Sequence, residues 1–480
     1  MKKTVLLTGA TGNMGWAGFQ ELYKKKDRFN ITVLARPSKK NKQLLGQYEF
    51  DPAVKLIWGD LTDYSDVLAA VTGADYVLHV GGMVSPAADY YPEKTLKVNI
   101  SSSENIVKAV LAQPNADEIK VVYIGSVAEY GNRMFSLLWG RTGDPMRASA
   151  YDMYSVSKCK AEKLFVDSGL KNWVVLRQTG ILYPGILKVV NPTAFHVPVQ
   201  GVLEWATIED SGRVLGNIVE DDVPAEFWNR FYNISSGQEY RMTNYEFETR
   251  LLKGLGLPGP EKVFEPQWFA LKNFHGMWYT DADKLDDYLH FREYMPVDKY
   301  FAQMKSKLPW FYHLAFLAPA FAVKLFMKPF AFEKGMGTQW WVENDQDKFK
   351  AYYGSKEAYS SIRSWDDIRP SYFEKNQTKA EAEGSVCVLD HGYDETKSIY
   401  DLTLAEVEAA AEFRGGRFLG PKELLGTKGA IFGWECEHGH QFHASLEFVL
   451  LGGGWCTECD LSDFEHHITP KNKFASQVMK

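Results

Sequence analysis

The stretch TVLLTGATGNMG, residues 4–15, places a short apolar run directly before a turn that contains Gly9, Gly12 and Gly15. An apolar, β-branched run that ends at a glycine is typical of a buried parallel strand. Glycines at this spacing permit a tight turn and a close approach of the backbone to a pyrophosphate, to which the following helix presents its N–H groups. The residues predicted to form this dinucleotide-binding turn are Gly9, Thr11, Gly12, Asn13, Met14 and Gly15.

Apolar runs and helical stretches alternate beyond this turn. FNITVLAR, VKLIWGD, DYVLHVGG and KVVYIGS have the composition of strands, and SDVLAAVTG and SSSENIVKAVLA between them have helical spacing. Strands that alternate with helices of about ten residues predict βαβ units with right-handed crossovers. The fold class predicted for the amino-terminal part is therefore α/β, a Rossmann-type doubly wound parallel sheet.

Length and composition describe a globular chain of more than one domain. The 480 residues exceed what a single core holds, and the composition is 45% hydrophobic and 24% charged. A net charge of −7 argues against nucleic acid as a partner. The first apolar run is too short for a signal segment, and three of the five cysteines crowd into the tail. We therefore expect a reducing, cytoplasmic location.

The end of the second predicted strand bears on the choice of cofactor. NAD-binding sites usually carry an acidic residue there, which binds the ribose hydroxyls. The sequence VLARPSKKNK instead offers Arg36 and Lys39 and no carboxylate, and a guanidinium suits a 2′-phosphate. We predict NADP(H) in preference to NAD(H), with a solvated basic loop as the alternative.

Seven motifs in order resemble the extended short-chain dehydrogenases/reductases, also called the NAD-dependent epimerase/dehydratase superfamily. They are TGATGNMG, GDLTD, HVGGMVSP, VNISSSENIVKA, YIGSVAEYG, YSVSK and LRQTGILYPG, and they span about residues 1–300. The resemblance implies that the GDLTD motif contacts the adenine of the cofactor and that the next two motifs also contact the cofactor. The implied cofactor-binding residues are Asp60, Leu61, Val80, Gly81, Gly82 and Asn99, although a purely structural role for Asn99 stays open.

The resemblance also implies a catalytic group made of Ser126, Tyr154 and Lys158. Residues four apart lie on one helical face, so the Lys158 ammonium can approach the Tyr154 phenol, favour the phenolate and lower its pKa. Tyr154 then acts as general acid or base, Ser126 binds the reacting oxygen, and Lys158 holds the cofactor ribose. Tyr151 is expected on a similar face of the same helix.

Three positions favour one branch of the superfamily. Sugar-nucleotide dehydratases carry an Asp-Glu pair where this chain has Val127 and Ala128, and nucleotide-sugar epimerases carry an asparagine where it has Gly180. This pattern more closely resembles the 3β-hydroxysteroid and sterol dehydrogenases. It implies oxidoreduction of a secondary alcohol or ketone on an apolar, steroid-like molecule. The alternatives are a nucleotide-sugar epimerase and a non-catalytic NADP-binding sensor or scaffold.

The segment LPWFYHLAFLAPAFAVKLFMKPF, residues 308–330, has no charged residue up to Val323. That uncharged span, residues 308–323, is too short and too interrupted by proline for a standard transmembrane helix. A buried connecting helix, a lid over an apolar substrate and a peripheral membrane contact remain as three interpretations.

The tail contains a candidate zinc site. Cys436 and His440, followed by Cys456 and Cys459, give the spacing C-x3-H-x15-C-x2-C, which supplies four thiolate and imidazole ligands for tetrahedral zinc. The pattern resembles zinc-ribbon modules, and four protein ligands indicate a structural ion. His438 and His443 are rival ligands.

These observations divide the chain into four predicted parts. A Rossmann domain occupies residues 1–185 and a substrate-binding part occupies 186–300. An apolar connection or lid covers 301–345, and a module with the zinc site covers 346–480, where TLAEVEAAAEF begins with a capping-box pattern at Thr403 and Glu406. Family resemblance suggests a homodimer.

Overall fold

The computed structural model describes residues 2–133, 137–188, 191–369, 386–459 and 469–479. The predicted parts 1–185, 186–300 and 346–480 each include positions outside these ranges. The main sheet has seven strands, all paired in parallel, in the order β11-β7-β5-β4-β1-β2-β3. Its strands are β1 (Lys3–Thr8), β2 (Phe29–Ala35), β3 (Val54–Trp58), β4 (Tyr76–His79), β5 (Lys120–Ser126), β7 (Asn172–Gln178) and β11 (Arg230–Ile234).

Helices cover both faces of this sheet, which confirms the predicted Rossmann-type fold. Alternate residues of β1 point to opposite layers: Leu6 belongs to one core, and Val5 and Leu7 to the other. The helices of the Rossmann unit are α1 (Asn13–Lys24), α2 (Lys39–Leu45), α3 (Tyr64–Val71), α4 (Ala87–Tyr90), α5 (Pro92–Leu111), α6 (Met153–Val166) and α7 (Ile208–Asn217). Helices α1 and α7 pack on one face, and α3, α5 and α6 pack on the other.

Short strand pairs and helices form a second layer beyond the carboxyl ends of the sheet strands. The strands pair as β6 (Trp139–Gly140) with β13 (Trp278–Tyr279), β8 (Ile181–Leu182) with β10 (Ala206–Thr207), and β9 (Val202–Glu204) with β12 (Arg241–Thr243). The helices of this layer are α8 (Asn244–Leu255), α9 (Pro260–Val263), α11 (Val297–Ser306), α12 (Ala320–Ala331), α13 (Thr338–Asn344), α14 (Gln346–Tyr353) and α15 (Lys356–Ser361). Helix α10 (Asp283–Leu289) packs instead in the core that α1 and α7 form on the main sheet. A 3-10 helix, Trp310–Leu317, precedes α12.

The carboxyl-terminal part is built on a small antiparallel sheet. It contains α16 (Leu404–Phe413), β14 (Arg417–Gly420), β15 (Ile431–Glu435), β16 (Gln441–Ser445) and α17 (Lys473–Ser476). Thr403 and Glu406 form the predicted capping box at the start of α16.

The small sheet shares a hydrophobic core with the α3, α5 and α6 layer of the Rossmann unit. Trp434 and Phe448 belong to the same cluster as Ile106 and Phe165. The carboxyl-terminal part therefore covers a face of the main sheet.

Candidate functional site

The glycine turn lies at the carboxyl edge of the main sheet, between β1 and α1. Gly9 has φ +72°, and a Cβ there would lie 2.7 Å from the backbone nitrogen of Gly81. A Cβ on Gly15 would lie 2.1 Å from the carbonyl oxygen of Gly9. The turn is thus a cradle that side chains would fill, followed at once by the first-turn N–H groups of α1. These features fit a dinucleotide pyrophosphate.

The neighbouring predicted residues lie on the same edge with different exposures. Asn13 is exposed at the start of α1, whereas Met14 is buried in the core and offers only its backbone to a ligand. Thr11, two residues before Asn13, is half-buried. Arg36 and Lys39 are exposed where β2 ends and α2 begins.

The loops after β3 and β4 form the wall opposite the glycine turn. Thr8 Oγ1 accepts hydrogen bonds from the backbone N–H groups of Val80 and Gly81, at 3.1 and 3.0 Å. The Leu61 side chain lies so close to Gly81 that a Cβ there would lie 2.5 Å from Leu61 Cδ1. Asp60 Oδ1 accepts from the Thr62 N–H at 2.9 Å, which shapes the preceding loop.

Asn99 fixes the end of the β4 loop from helix α5. Its Oδ1 accepts from the Met83 N–H at 2.7 Å, and its Nδ2 donates to the Met83 carbonyl at 3.0 Å and to Ser157 Oγ at 2.9 Å. A Cβ on Gly82 would lie 3.0 Å from Asn99 Oδ1. Asn99 therefore supports the backbone beside the predicted cofactor site.

The structure brings Ser126, Tyr154 and Lys158 together where β5 ends and α6 begins. Ser126 caps the 3-10 turn Val127–Tyr130, with Glu129 completing a capping box. The Lys158 Nζ donates to the Ile124 carbonyl at 2.8 Å and lies 5.9 Å from the centre of the Tyr154 ring. The expected i, i+4 arrangement is present, but the ammonium is held by the backbone of β5.

The pKa of Tyr154 differs from the sequence expectation of a lowered value. Burial raises the pKa of Tyr154 above its ordinary value, and a hydrogen bond with Ser126 lowers it only in part. Burial also lowers the pKa of Lys158 to about 8, against the raising effect of Glu129 and Glu162. Burial is the largest effect on the pKa of Tyr154, and the nearby carboxylates Glu129, Asp152 and Asp89 raise it further, so the phenol is protonated near neutral pH.

Tyr151 does not lie on the catalytic helix. Asp152 caps α6 by accepting from the Ser155 N–H at 2.9 Å, and Tyr151 precedes this cap with φ +66° and an exposed side chain. The helix begins only at Met153, which removes Tyr151 from the expected face.

A buried ionic cluster that the sequence motifs do not indicate lies beside Lys158. Arg177 Nη2 donates to Glu162 Oε1 at 2.6 Å, and Arg177 Nε lies 3.1 Å from Glu129 Oε2. All three side chains are fully buried. Arg177 Nη2 also donates to the Gly452 carbonyl of the carboxyl-terminal part at 2.7 Å. The one local pattern in the sequence that points to this cluster is the spacing of Lys158 and Glu162, which lie four residues apart on one face of the same helix.

A cavity of about 850 Å³ is lined mainly by residues of the second layer. It is next to the start of α6, because His275 in its wall has Nδ1 at 3.5 Å from Oδ2 of Asp152, the residue that caps this helix. Ser126, Tyr154 and Lys158 are not among its wall residues. Most of the wall is apolar, and its charged members include the buried groups Arg133 and Glu248. Arg133 Nη2 donates to Asp144 Oδ2 at 2.7 Å, while burial raises the pKa of Glu248 to about 7.

The four predicted metal ligands converge at the tip of the β15–β16 hairpin. Their ligand atoms lie within 4.8 Å of one another, and no other such group of three or more occurs in the described ranges. His440 Nδ1 is 3.4 Å from Cys459 Sγ and 3.8 Å from Cys456 Sγ, and Cys436 Sγ is 3.9 Å from Cys459 Sγ. The rivals His438 and His443 are outside this cluster.

The sheet topology defines a Rossmann-type fold, and the glycine cradle and the Ser126, Tyr154 and Lys158 group lie at the carboxyl edge of its sheet. Residues 5–178 match the model of the NAD dependent epimerase/dehydratase family. The match supports this family for the dinucleotide-binding part of the chain.

Similar proteins agree with this class. The UDP-glucose 4-epimerase of Rickettsia bellii (strain RML369-C) is 32% identical over 111 residues, which are 22% of this chain and 32% of that protein. The same enzyme of Rickettsia massiliae is 28% identical over 113 residues, 23% of this chain and 33% of that protein. The chain thus spans about a third of the length of these curated relatives.

A solved structure extends the similarity in fold. dTDP-glucose 4,6-dehydratase from Bacillus anthracis, in complex with NAD, aligns with a TM-score of 0.50 at 14% identity and covers 63% of this chain and 96% of that one. At this identity the likeness concerns the fold. The hydroxysteroid branch, the NADP preference and the zinc-ribbon module stay predictions.

Proposed function

We propose that the chain is an NAD(P)-dependent oxidoreductase of the epimerase/dehydratase superfamily that interconverts a secondary alcohol and a ketone on an apolar, steroid-like substrate. The observation that carries this proposal is the large apolar cavity beside the catalytic helix. Its volume of about 850 Å³ is in the range of small-molecule sites, which is roughly 300–1,000 Å³.

The wall of the cavity at Gly180 favours an apolar ligand over a nucleotide sugar. This is the position at which nucleotide-sugar epimerases carry an asparagine. Here a Cβ would lie 2.6 Å from Leu203 Cδ2 and 2.8 Å from the Trp205 ring. Trp205 in turn stacks on Phe247, with ring centres 4.4 Å apart. Apolar side chains thus occupy the space that a polar side chain needs.

The carboxyl edge of the sheet fits a nicotinamide dinucleotide. The cradle at Gly9 and Gly15 would hold the pyrophosphate, and Leu61 and Gly81 would flank the adenosine side. Arg36 and Lys39 support the proposed preference for a 2′-phosphate. When bound, the nicotinamide supplies or accepts the hydride.

Tyr154 and Ser126 would manage the proton and the oxygen. In ketone reduction, the carbonyl carbon receives the hydride and the carbonyl oxygen takes the proton of the Tyr154 hydroxyl, which leaves an alcohol and a phenolate. Ser126 donates a hydrogen bond to the same oxygen, and the Lys158 ammonium lowers the cost of the phenolate. A phenol that burial keeps protonated suits a proton donor, so the proposal favours reduction.

The test compares Tyr154→Phe with Tyr151→Phe, using steroid-like ketones and NADPH. General acid catalysis typically contributes about 10²–10⁴-fold, so we expect a loss of turnover of this size only at Tyr154, with cofactor binding unchanged. Near-normal turnover of Tyr154→Phe would refute the assigned role.

The second candidate is a nucleotide-sugar 4-epimerase, which the similarity of 111 residues to the Rickettsia enzyme favours. It predicts thermal stabilisation by UDP-sugars and interconversion of epimers without net consumption of cofactor. Stabilisation by steroid-like ketones and no response to UDP- or GDP-sugars would favour the oxidoreductase.

We also propose a structural zinc ion at Cys436, His440, Cys456 and Cys459. Zn–S and Zn–N bonds of about 2.3 and 2.0 Å place tetrahedral ligand atoms roughly 3.5–3.8 Å apart. Three of the six separations between the ligand atoms, 3.4–3.9 Å, are close to this geometry, and all six lie within 4.8 Å.

A further inference from the structure

The apolar segment 308–330 folds into two short helices that meet at a sharp bend. The 3-10 helix Trp310–Leu317 and α12 form an angle of 114°. In the part of the chain that the structure describes, no single helix is long and apolar enough to cross a bilayer, and this bent pair qualifies only by length and composition taken together.

The outer side of both helices carries large apolar side chains that face solvent. Trp310 is 75% exposed, Phe321 73% and Leu325 69%. Phe311, Phe316 and Leu317 are also more than half exposed. Monomeric soluble proteins rarely expose contiguous apolar patches of more than a few hundred Å², and larger ones mark interaction sites. We call these six residues the apolar patch.

The segment that carries the apolar patch has a net positive charge although the whole chain is negative. From Lys299 to Phe332 the sequence has five lysines and no aspartate or glutamate, against a net charge of −7 for the chain. Lys307 pairs with Glu209 at 3.2 Å and Lys324 with Glu265 at 2.5 Å, whereas Lys328 is exposed and lies over the Phe332 ring at 5.5 Å. Exposed aromatic and aliphatic side chains beside lysines match the interfacial layer of a bilayer with anionic headgroups.

The inner side of the same segment forms part of the cavity wall. Tyr312, Ala315, Val323 and Met327 line the cavity. A surface that touched lipid at the apolar patch would thus leave only this helical segment between the bilayer and the cavity.

We propose that the apolar patch and its lysines form a peripheral membrane-docking surface for a bilayer that contains anionic lipids. A second copy of the chain fits less well, because an isologous contact would bring the same lysines of both copies together. This inference goes beyond the proposed reaction and is tested without turnover.

The test is flotation of the full chain with phosphatidylcholine vesicles, with and without phosphatidylglycerol. We expect binding to the anionic vesicles that weakens with added salt. Substitution of Trp310→Ser, Phe321→Ser and Leu325→Ser together should lower the bound fraction at least tenfold. The matched control is Phe50→Ser, since Phe50 is 93% exposed and lies outside the patch.

Lys328→Glu gives a second variant that needs no change in the apolar residues. It should weaken binding to anionic vesicles and leave the thermal denaturation curve unchanged. Wild-type protein that stays with the unbound fraction in both vesicle types would overturn the proposal. So would a dimer in solution that the serine substitutions dissociate while vesicle binding stays absent.

Discussion

Replacement of Arg177 by methionine is the most direct test of the buried ionic cluster. The substitution removes the guanidinium that contacts Glu129 and Glu162, and it also removes the donor to the Gly452 carbonyl. Methionine keeps much of the side-chain volume, so the main change is the loss of charge and of hydrogen bonds.

The expected cost is about 3–5 kcal/mol of unfolding free energy, the usual result of leaving buried charges without their partner. It should also depend on pH. Burial raises the pKa of Glu129 well above its ordinary value of 4.5, with Glu162 adding to the effect. Because the pKa of Glu129 is higher in the folded than in the unfolded state, its contribution to the unfolding free energy is fully present below the unfolded-state pKa. That contribution is lost as pH rises through the folded-state pKa. The variant lacks the compensating cation, so its deficit should grow from pH 5 to pH 8.

The assay is urea unfolding of the full chain at several pH values in this window. Arg417→Met is the matched control, because Arg417 pairs with Glu435 on the surface at 2.6 Å with its side chain 70% exposed. Surface ion pairs contribute about 0–1 kcal/mol, so the control should change little at any pH. Equal effects of the two substitutions, or a deficit at Arg177 that shrinks as pH rises, would refute the reasoning.

Three further predictions concern the metal, the cavity and the cofactor. The substitution Cys456→Ser should abolish zinc binding, measured by elemental analysis, and should lower the midpoint of thermal unfolding. Cys387 is exposed and lies outside the cluster, so Cys387→Ser should change neither quantity. Burial raises the pKa of Glu248 to about 7 from 4.5, so the free energy of unfolding of the wild type should fall by about 3 kcal/mol as pH rises from 4.5 through 7. The substitution Glu248→Gln should remove this loss. A variant whose unfolding free energy depends on pH as the wild type's does would contradict the assigned burial. Arg36→Ala should raise the Kd for NADPH about tenfold and leave that for NADH nearly unchanged, measured by fluorescence titration; a parallel change for both cofactors would contradict a 2′-phosphate contact.

The parts of the fold that the sequence predicted are those encoded by local patterns. The sheet followed from short apolar runs and the turn at Gly9, where a positive φ and a close approach to Gly81 leave no room for a side chain. The start of α16 followed from the capping box of Thr403 and Glu406. These features depend on neighbouring residues, so one sequence is sufficient to identify them.

The parts that the sequence did not predict depend on contacts between distant residues. Tyr151 was expected on the face of α6, but the cap at Asp152 begins the helix after it. The pKa of Tyr154 depends on how deeply the phenol is buried, which helical spacing does not determine. The contact between Arg177 and Gly452 joins positions 275 residues apart, and no local pattern indicates it.

The packing of the carboxyl-terminal part changes how its role should be tested. Deleting the chain from about residue 385 can distinguish a tail that binds a partner from a tail that catalysis needs only if the remaining chain keeps its hydrophobic core. Trp434 and Phe448 pack in the same cluster as Phe165, which is on the catalytic helix. The Gly452 carbonyl binds Arg177, whose partner Glu162 is one helical turn from Lys158. Deletion would thus expose the layer that supports Lys158, so we expect the proposed activity to fall even if the tail only binds a partner.

A substitution at the surface of the metal cluster avoids this ambiguity. Cys459 is the most exposed of the three cysteine ligands, and Phe448 and Gly452 are not ligands. Cys459→Ser should release the ion and leave the contact between Gly452 and Arg177 in place. Retained turnover with reduced stability would indicate a structural zinc ion, and a parallel loss of both would mean that the metal supports the catalytic helix through the shared core.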